Sequence, residues 1–127
     1  MEVLDEYRYT ENHEWVKIDG DYAYVGITSF AQRELGEIVH VELPEVGDNV
    51  LAGDPLCALE AVKTVEDIYS PITGEVDKVN GDLFDNPELI NNSPYEDGWL
   101  VKIRYKDKTE IEKMLTAEEY RKRVDSC

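Results

Sequence analysis

One lysine stands near the middle of the chain without another basic residue close to it. Between Leu56 and Pro71, Lys63 is the only base, and three acids and a run of aliphatic residues surround it. On a helix, Lys63 could pair with Glu60 or Asp67, because residues three and four apart are neighbours on a helical surface. On a turn, its amine would be an exposed group that a carboxylic acid could acylate. The element that carries Lys63 therefore decides between an ordinary ion pair and a modification site.

The segment around Lys63 fits two secondary structures. Apolar residues recur at helical spacing in Ala58, Val62, Val65 and Tyr69. The same segment also alternates as a strand does. Glycine and proline punctuate the flanking sequence at intervals of roughly 8–12 residues, which is typical of an all-β fold. We therefore predict two strands joined by a turn at 62–64.

Short strands are predicted along the rest of the chain. They cover residues 13–18, 22–27, 37–43, 50–51, 75–79 and 99–105, with turns at 19–21 and 80–81. The first two of these strands and the turn between them predict an N-terminal β-hairpin.

Small helices are predicted at the edges of this fold. Thr28 is a good N-cap and Gly36 a good terminator, so residues 28–36 are predicted as one brief helix. Asn86 followed by proline predicts a single helical turn at 86–90. Two capping boxes, Thr109 to Glu112 and Thr116 to Glu119, each predict the start of a short C-terminal helix.

Composition limits the classes of function. The 127 residues fit one domain with a modest core, and 29 acids against 13 Lys and Arg give a net charge of −16. Nucleic acids and anionic membranes attract clustered bases, so we expect neither as a partner. The acidic N-terminus lacks the pattern of a signal or transit peptide, which predicts a cytoplasmic protein or an already processed mitochondrial one.

Patterns of self-contained catalysis are absent from the sequence. It has no nucleophile elbow, no phosphate-binding loop and no dinucleotide fingerprint. His13 and His40 fall in separate predicted strands, Cys57 in an apolar run, and Cys127 is the last residue. We therefore predict no catalytic and no metal-binding residues. A carrier protein, in contrast, needs only one exposed nucleophile, and Lys63 qualifies.

Several segments in order along nearly the whole chain carry a family resemblance. They are His13-Glu14-Trp15-Val16, Gly26-Ile27-Thr28, Val41 to Gly47, Glu60 to Lys63, Asp67 to Pro71, Pro87 to Asn91, Pro94-Tyr95 and Gly98-Trp99-Leu100. Together they resemble the H-protein family of the glycine cleavage system. Ala61 stands where the family usually has serine, and Glu34 where some members have histidine.

The resemblance implies a mainly β fold, a lipoyl-domain-like barrel-sandwich hybrid with an N-terminal hairpin extension and short C-terminal helices. It implies one domain over residues 1–127, with a lipoyl-like core at about 20–105 and short capped helices at 106–127. It also implies lipoate in amide linkage to Lys63. Glu60 would help a ligase to recognise the hairpin. Glu14, Asp67 and Asn12 would line a cleft for the loaded arm, where carboxylates suit an alkylammonium group.

The resemblance further implies a non-catalytic, monomeric carrier with several enzyme partners. A PLP-dependent glycine decarboxylase would load an aminomethyl group onto the arm, and a tetrahydrofolate-dependent aminomethyltransferase would unload it. A dihydrolipoyl dehydrogenase would reoxidise the arm, and a lipoate ligase or lipoyl transferase would attach it.

Four alternatives stand beside this interpretation. An H-like relay protein would pass lipoate to other enzymes without a role in glycine cleavage. Lipoyl domains of 2-oxo acid dehydrogenases usually carry Asp-Lys-Ala and biotinyl carriers Met-Lys-Met, whereas this chain has Val62-Lys63-Thr64. A plain structural module would leave Lys63 unmodified.

Overall fold

The computed structural model describes residue 4 and residues 6–125. This part of the chain contains nine strands: β1 (Arg8–Tyr9), β2 (Glu14–Asp19), β3 (Tyr22–Ile27), β4 (Ile38–Glu42), β5 (Asn49–Val50), β6 (Pro55–Ala61), β7 (Val65–Tyr69), β8 (Gly74–Val79) and β9 (Val101–Tyr105). It also contains five short helices: α1 (Ser29–Leu35), α2 (Asp82–Asp85), α3 (Leu89–Asn92), α4 (Lys108–Glu112) and α5 (Ala117–Asp125). None of the helices in this part of the chain is long and apolar enough to cross a membrane.

The strands form two antiparallel sheets. The larger sheet has the order β1-β2-β3-β9-β8-β5, and the smaller has the order β4-β6-β7. One cluster of buried aliphatic residues draws on both sheets, with Val25 and Ile103 from the larger and Leu59 and Ile68 from the smaller. The two sheets therefore share a core, and the predicted mainly β fold with short C-terminal helices is confirmed.

A second, aromatic cluster attaches the N-terminal hairpin and the last helix. Its buried members are Tyr7, Tyr9, Trp15, Tyr95, Ala117 and Tyr120. Trp15 faces Gly26 across the β2–β3 ladder, where a side chain on residue 26 would overlap the indole ring. The absence of a Cβ atom at this position is what lets the ring lie flat against the neighbouring strand.

Several predicted helix ends are confirmed. The Thr28 side chain accepts a hydrogen bond from the backbone of Ala31 at the start of α1, and Gly36 ends that helix at a φ of 81°. Before α5, Glu119 accepts from the backbone N–H of Thr116 at 2.9 Å, while the Thr116 hydroxyl accepts from that of Glu119 at 3.2 Å. This reciprocal pair is the capping box that the sequence predicts.

The capping box predicted at Thr109 is wrong. Asp107 is the N-cap of α4, and its carboxylate accepts from the backbone N–H of Thr109 at 2.9 Å. Asp107 lies two residues earlier and offers an ionised acceptor, so α4 begins at Lys108 and Thr109 lies within it.

The helical turn predicted at 86–90 is wrong in its bounds. Asn86 ends α2, an element that was not predicted, and α3 begins only at Leu89 after Glu88. His13 also differs from the prediction. It lies in the turn before β2 rather than in the strand, with a φ of 68°. Cys127 lies outside the described residues.

Candidate functional site

Lys63 lies at the tip of the β6–β7 hairpin. The backbone N–H of Ala61 donates to the carbonyl oxygen of Thr64 at 2.8 Å and closes the turn. Residues 62–64 are exposed. The predicted strand-turn-strand structure is confirmed, and the helical ion pair is wrong because Glu60 and Asp67 lie on opposite strands.

The hairpin has a fixed base and an exposed tip. Leu59, Ala61 and Ile68 belong to the shared core, and the backbone N–H of Val62 donates to the carbonyl oxygen of Glu37 at 3.1 Å. At the tip, Val62 is 67% exposed and Val65 is 63% exposed. A lysine between two exposed apolar side chains on a well-packed hairpin can be reached by a modifying enzyme.

Glu60 lies on the outer face of the smaller sheet. It is exposed and pairs with His40 on β4 and with Val65 on β7. Its position three residues before Lys63, on the open face of the same hairpin, leaves the carboxylate accessible to any protein that approaches the tip.

Glu14 is a buried acid that joins the two sheets. Its side chain is 3% exposed, and the Thr10 hydroxyl donates to its carboxylate at 2.7 Å. The backbone N–H of Tyr69 faces the same carboxylate. Burial raises the pKa of Glu14, while the hydrogen bond from Thr10 and the backbone N–H of Tyr69 oppose that rise. β7 is an edge strand of the smaller sheet, so Glu14 lies at an open sheet edge.

The structure brings Glu14 to the strand that carries Asp67, but it does not gather all three predicted cleft residues in one pocket. Asp67 is exposed, two residues before Tyr69, and lines a shallow depression of about 260 Å³ beside Glu42 and Pro44. Neither Glu14 nor Asn12 lines that depression. Asn12 is exposed in the turn that precedes β2.

Sequence reasoning missed a polar contact beside Glu14. The Tyr120 hydroxyl lies 2.8 Å from Nδ1 of His13 and 2.7 Å from Oγ1 of Thr28. Burial lowers the pKa of His13, and the positive charge of Arg123 lowers it further. The negative charge of Glu34 raises this pKa and so opposes both effects. The signals in the sequence are a histidine next to Glu14 and a tyrosine in the capped C-terminal helix. Periodicity does not connect them, because they lie 107 residues apart.

Comparisons with known proteins agree on one family. The model of the family described as glycine cleavage H-protein matches residues 7–127. The glycine cleavage system H protein of Halothermothrix orenii is 52% identical over 120 residues, with 94% of each chain covered. That of Brevibacillus brevis is 51% identical over 120 residues, with 94% of this chain and 95% of the relative covered.

A solved structure agrees with these sequence matches. The crystal structure of a glycine cleavage system H protein from Mycobacterium marinum aligns with a TM-score of 0.89 and 37% identity. The alignment covers 97% of this chain and 99% of that one. Sequence and fold together therefore show that this chain belongs to the glycine cleavage H-protein family.

Proposed function

We propose that this chain is the lipoyl carrier of a glycine cleavage system and that Lys63 is its attachment residue. The observation that carries the proposal is the exposed lysine at the tip of a tight, core-anchored hairpin. Residues present at the tip fit an amide-linked arm, because an exposed primary amine can be acylated and the turn holds it away from the body. Once attached, the lipoyl group supplies the sulfur chemistry that carries an aminomethyl group from decarboxylated glycine.

Glu60 is proposed as a recognition residue for the enzyme that attaches lipoate. Its carboxylate is exposed on the same hairpin as Lys63, and the whole chain carries a net charge of −16. A lipoate ligase or lipoyl transferase with a basic surface would be attracted to this face. Glu60→Gln should therefore slow the modification of Lys63 more strongly at low salt than at high salt.

Glu14, Asp67 and Asn12 are proposed to receive the cationic end of the loaded arm. Glu14 lies close to the hairpin strand that carries Asp67. Asn12 lies two residues before Glu14 in the sequence. A carboxylate that is largely shielded from solvent, as that of Glu14 is, accepts strong, charge-assisted hydrogen bonds from an alkylammonium group and limits the access of water. Such a contact would slow the loss of the cargo between partner enzymes.

The chain is proposed to act on no substrate of its own. Its partners would be a PLP-dependent glycine decarboxylase, an aminomethyltransferase, a dihydrolipoyl dehydrogenase and the lipoate-attaching enzyme. We propose a cytoplasmic, monomeric carrier in which residues 1–127 form one domain, with the lipoyl-like core at about 20–105 and the helical residues 106–127 completing it. The aromatic cluster supports this assignment, because it contains Tyr120 of the last helix together with Trp15 of the hairpin.

Mass spectrometry after enzymatic lipoylation tests the proposal. The protein is incubated with a lipoate ligase, lipoate and ATP, and the modified peptide is identified. We expect one lipoyl group, on Lys63, and none on Lys63→Arg, because a guanidinium group is not acylated. Lys78→Arg is the matched control, because Lys78 is also exposed but lies on a strand of the larger sheet.

Reconstitution with the partner enzymes tests the pathway. The lipoylated protein should support glycine-dependent release of CO₂, and Lys63→Arg should not. Glycine turnover with the Lys63→Arg variant would contradict the assignment. Lipoylation of Lys63 without any glycine turnover, together with lipoyl transfer to other enzymes, would favour the relay protein instead.

A further inference from the structure

The hydroxyl group of Tyr120 connects three segments. Tyr120 is fully buried on α5, and its oxygen lies 2.8 Å from the His13 ring and 2.7 Å from the Thr28 hydroxyl. His13 belongs to the turn before β2, and Thr28 is the N-cap of α1. The C-terminal helix thus holds the turn and the start of α1 together through one polar atom.

The turn that Tyr120 holds has an unusual backbone. His13 has a φ of 68°, in the left-handed region that residues other than glycine seldom adopt. Such a conformation persists only where its surroundings favour it over the alternatives. Here the backbone N–H of Thr28 donates to the carbonyl oxygen of His13 at 3.0 Å. The His13 ring packs on the Phe30 ring, with the two ring centroids 4.4 Å apart. The Tyr120 hydroxyl makes a polar contact with the ring itself.

The same turn sets the position of Glu14. The backbone N–H of His13 donates to the carbonyl oxygen of Thr10 at 3.1 Å, and that of Glu14 donates to the Thr10 hydroxyl at 3.0 Å. This hydroxyl donates in turn to the Glu14 carboxylate at 2.7 Å. A rotation of the His13 backbone would therefore disturb both the main chain and the carboxylate of the next residue.

We propose that Tyr120 is a positioning residue whose hydroxyl, through His13, holds Glu14 in place for the cationic end of the loaded arm. This inference rests on the proposed carrier function and adds a role for the C-terminal helix. In this proposal, Tyr120 acts on Glu14 through the turn and does not touch the arm itself.

The competing explanation is that Tyr120 serves only as a hydrophobic anchor. Its ring stacks on Tyr9 with centroids 4.5 Å apart and planes 9° apart. Tyr120→Phe separates the two explanations, because phenylalanine keeps the ring and its packing and removes only the hydroxyl. Tyr105→Phe is the matched control, since the Tyr105 hydroxyl donates to the carbonyl oxygen of Gly20 at 2.7 Å, in the turn at the opposite end of β2.

The first test uses the unmodified protein. We expect Tyr120→Phe to shift the ¹⁵N resonance of Nδ1 of His13, and to speed amide exchange at residues 12–14 by about 3- to 10-fold, as expected for the loss of a buried hydrogen bond. Tyr105→Phe should leave these signals unchanged. Equal exchange of this turn in the two variants would overturn the proposal.

The second test uses the lipoylated, loaded protein, with free ammonia as the measure of cargo lost to water. Tyr120→Phe should shorten the lifetime of the cargo by about 3-fold or more, and Tyr105→Phe should not. Glu14→Gln should shorten it too. The double variant should be no worse than Glu14→Gln alone, because two residues that act through one contact give non-additive effects.

The outcomes separate this proposal from the carrier function. An unchanged lifetime in Tyr120→Phe, with a shortened one in Glu14→Gln, would overturn the role of Tyr120 and leave that of Glu14. Unchanged lifetimes in both would overturn the roles of both residues while Lys63 stays lipoylated. Absence of lipoylation at Lys63 would overturn the carrier function itself. The role proposed for Tyr120 would then be overturned as well.

Discussion

The contact between Trp15 and Gly26 predicts that one added methyl group will disturb the N-terminal hairpin. A Cβ atom on residue 26 would lie 2.5 Å from Cε2 and 2.7 Å from Nε1 of the indole ring. Carbon atoms pack at about 3.5–4.0 Å, so the ring has to move by about 1 Å. Trp15 is 1% exposed and belongs to the aromatic cluster, so a shift of its ring also displaces the side chains that pack on it.

Two costs contribute to the expected loss of stability. Overpacking a buried site costs about 1–3 kcal/mol. The Trp15 indole N–H donates to the carbonyl oxygen of Pro94 at 3.0 Å in a buried contact, and weakening this bond adds about 1 kcal/mol. We expect Gly26→Ala to lower the free energy of unfolding by about 2–4 kcal/mol.

Urea denaturation measures this loss, with circular dichroism and tryptophan fluorescence as probes. Gly81→Ala is the matched control, because nothing lies within 4 Å of the added Cβ atom and Gly81 has a φ of −62°. Its unfolding free energy should stay within about 1 kcal/mol of the parent's. A loss of less than about 1 kcal/mol in Gly26→Ala would refute the reasoning from overlap with the ring.

Three further predictions concern buried or half-buried polar groups. Burial raises the pKa of Glu14 above its usual value of 4.5, so its contribution to stability is present below that pH and is lost as the pH rises through the folded-state pKa. Glu14→Gln should therefore be more stable than the parent at pH 7, with the difference closing towards pH 4.5 in urea titrations. Glu110→Ala removes hydrogen bonds of 2.8 and 2.9 Å from Thr73 and should cost about 1.5–3 kcal/mol in the same assay. Burial raises the pKa of the Cys57 thiol to about 12, so in a Cys127→Ser background a thiol reagent should react about 1,000-fold more slowly with native than with unfolded protein at pH 8.

Local signals predicted the hairpin and several caps well. The glycine and proline rhythm around Lys63 outweighed the helical spacing of four apolar residues, and the structure has two strands there. Thr28 and Gly36 act as caps because the groups they satisfy lie within the same short segment. The start of α4 was harder to predict, since Asp107 and Thr109 both match an N-cap pattern and lie two residues apart.

Contacts between distant residues could not be predicted from local patterns. The Tyr69 backbone comes close to Glu14 because β7, an edge strand of the smaller sheet, lies beside the start of β2. The contact between His13 and Tyr120 depends on where α5 lies against the larger sheet. The roles assigned to Lys63 and Glu14 came from the family resemblance, since their residue types alone fit an ordinary surface lysine and an ordinary acid.

The exposed tip of the β6–β7 hairpin limits how tightly the protein could hold the arm proposed for Lys63. An arm attached at Lys63, as proposed, would meet any cleft of the same molecule at an effective concentration on the order of millimolar, whereas a partner enzyme would compete from solution at its ordinary concentration. A cleft that held the arm tightly would therefore keep it from every partner. If Glu14 receives the arm as proposed, retention there would have to be weak and readily reversed, and a few polar contacts at the edge of β7 would suit this better than a deep, apolar pocket.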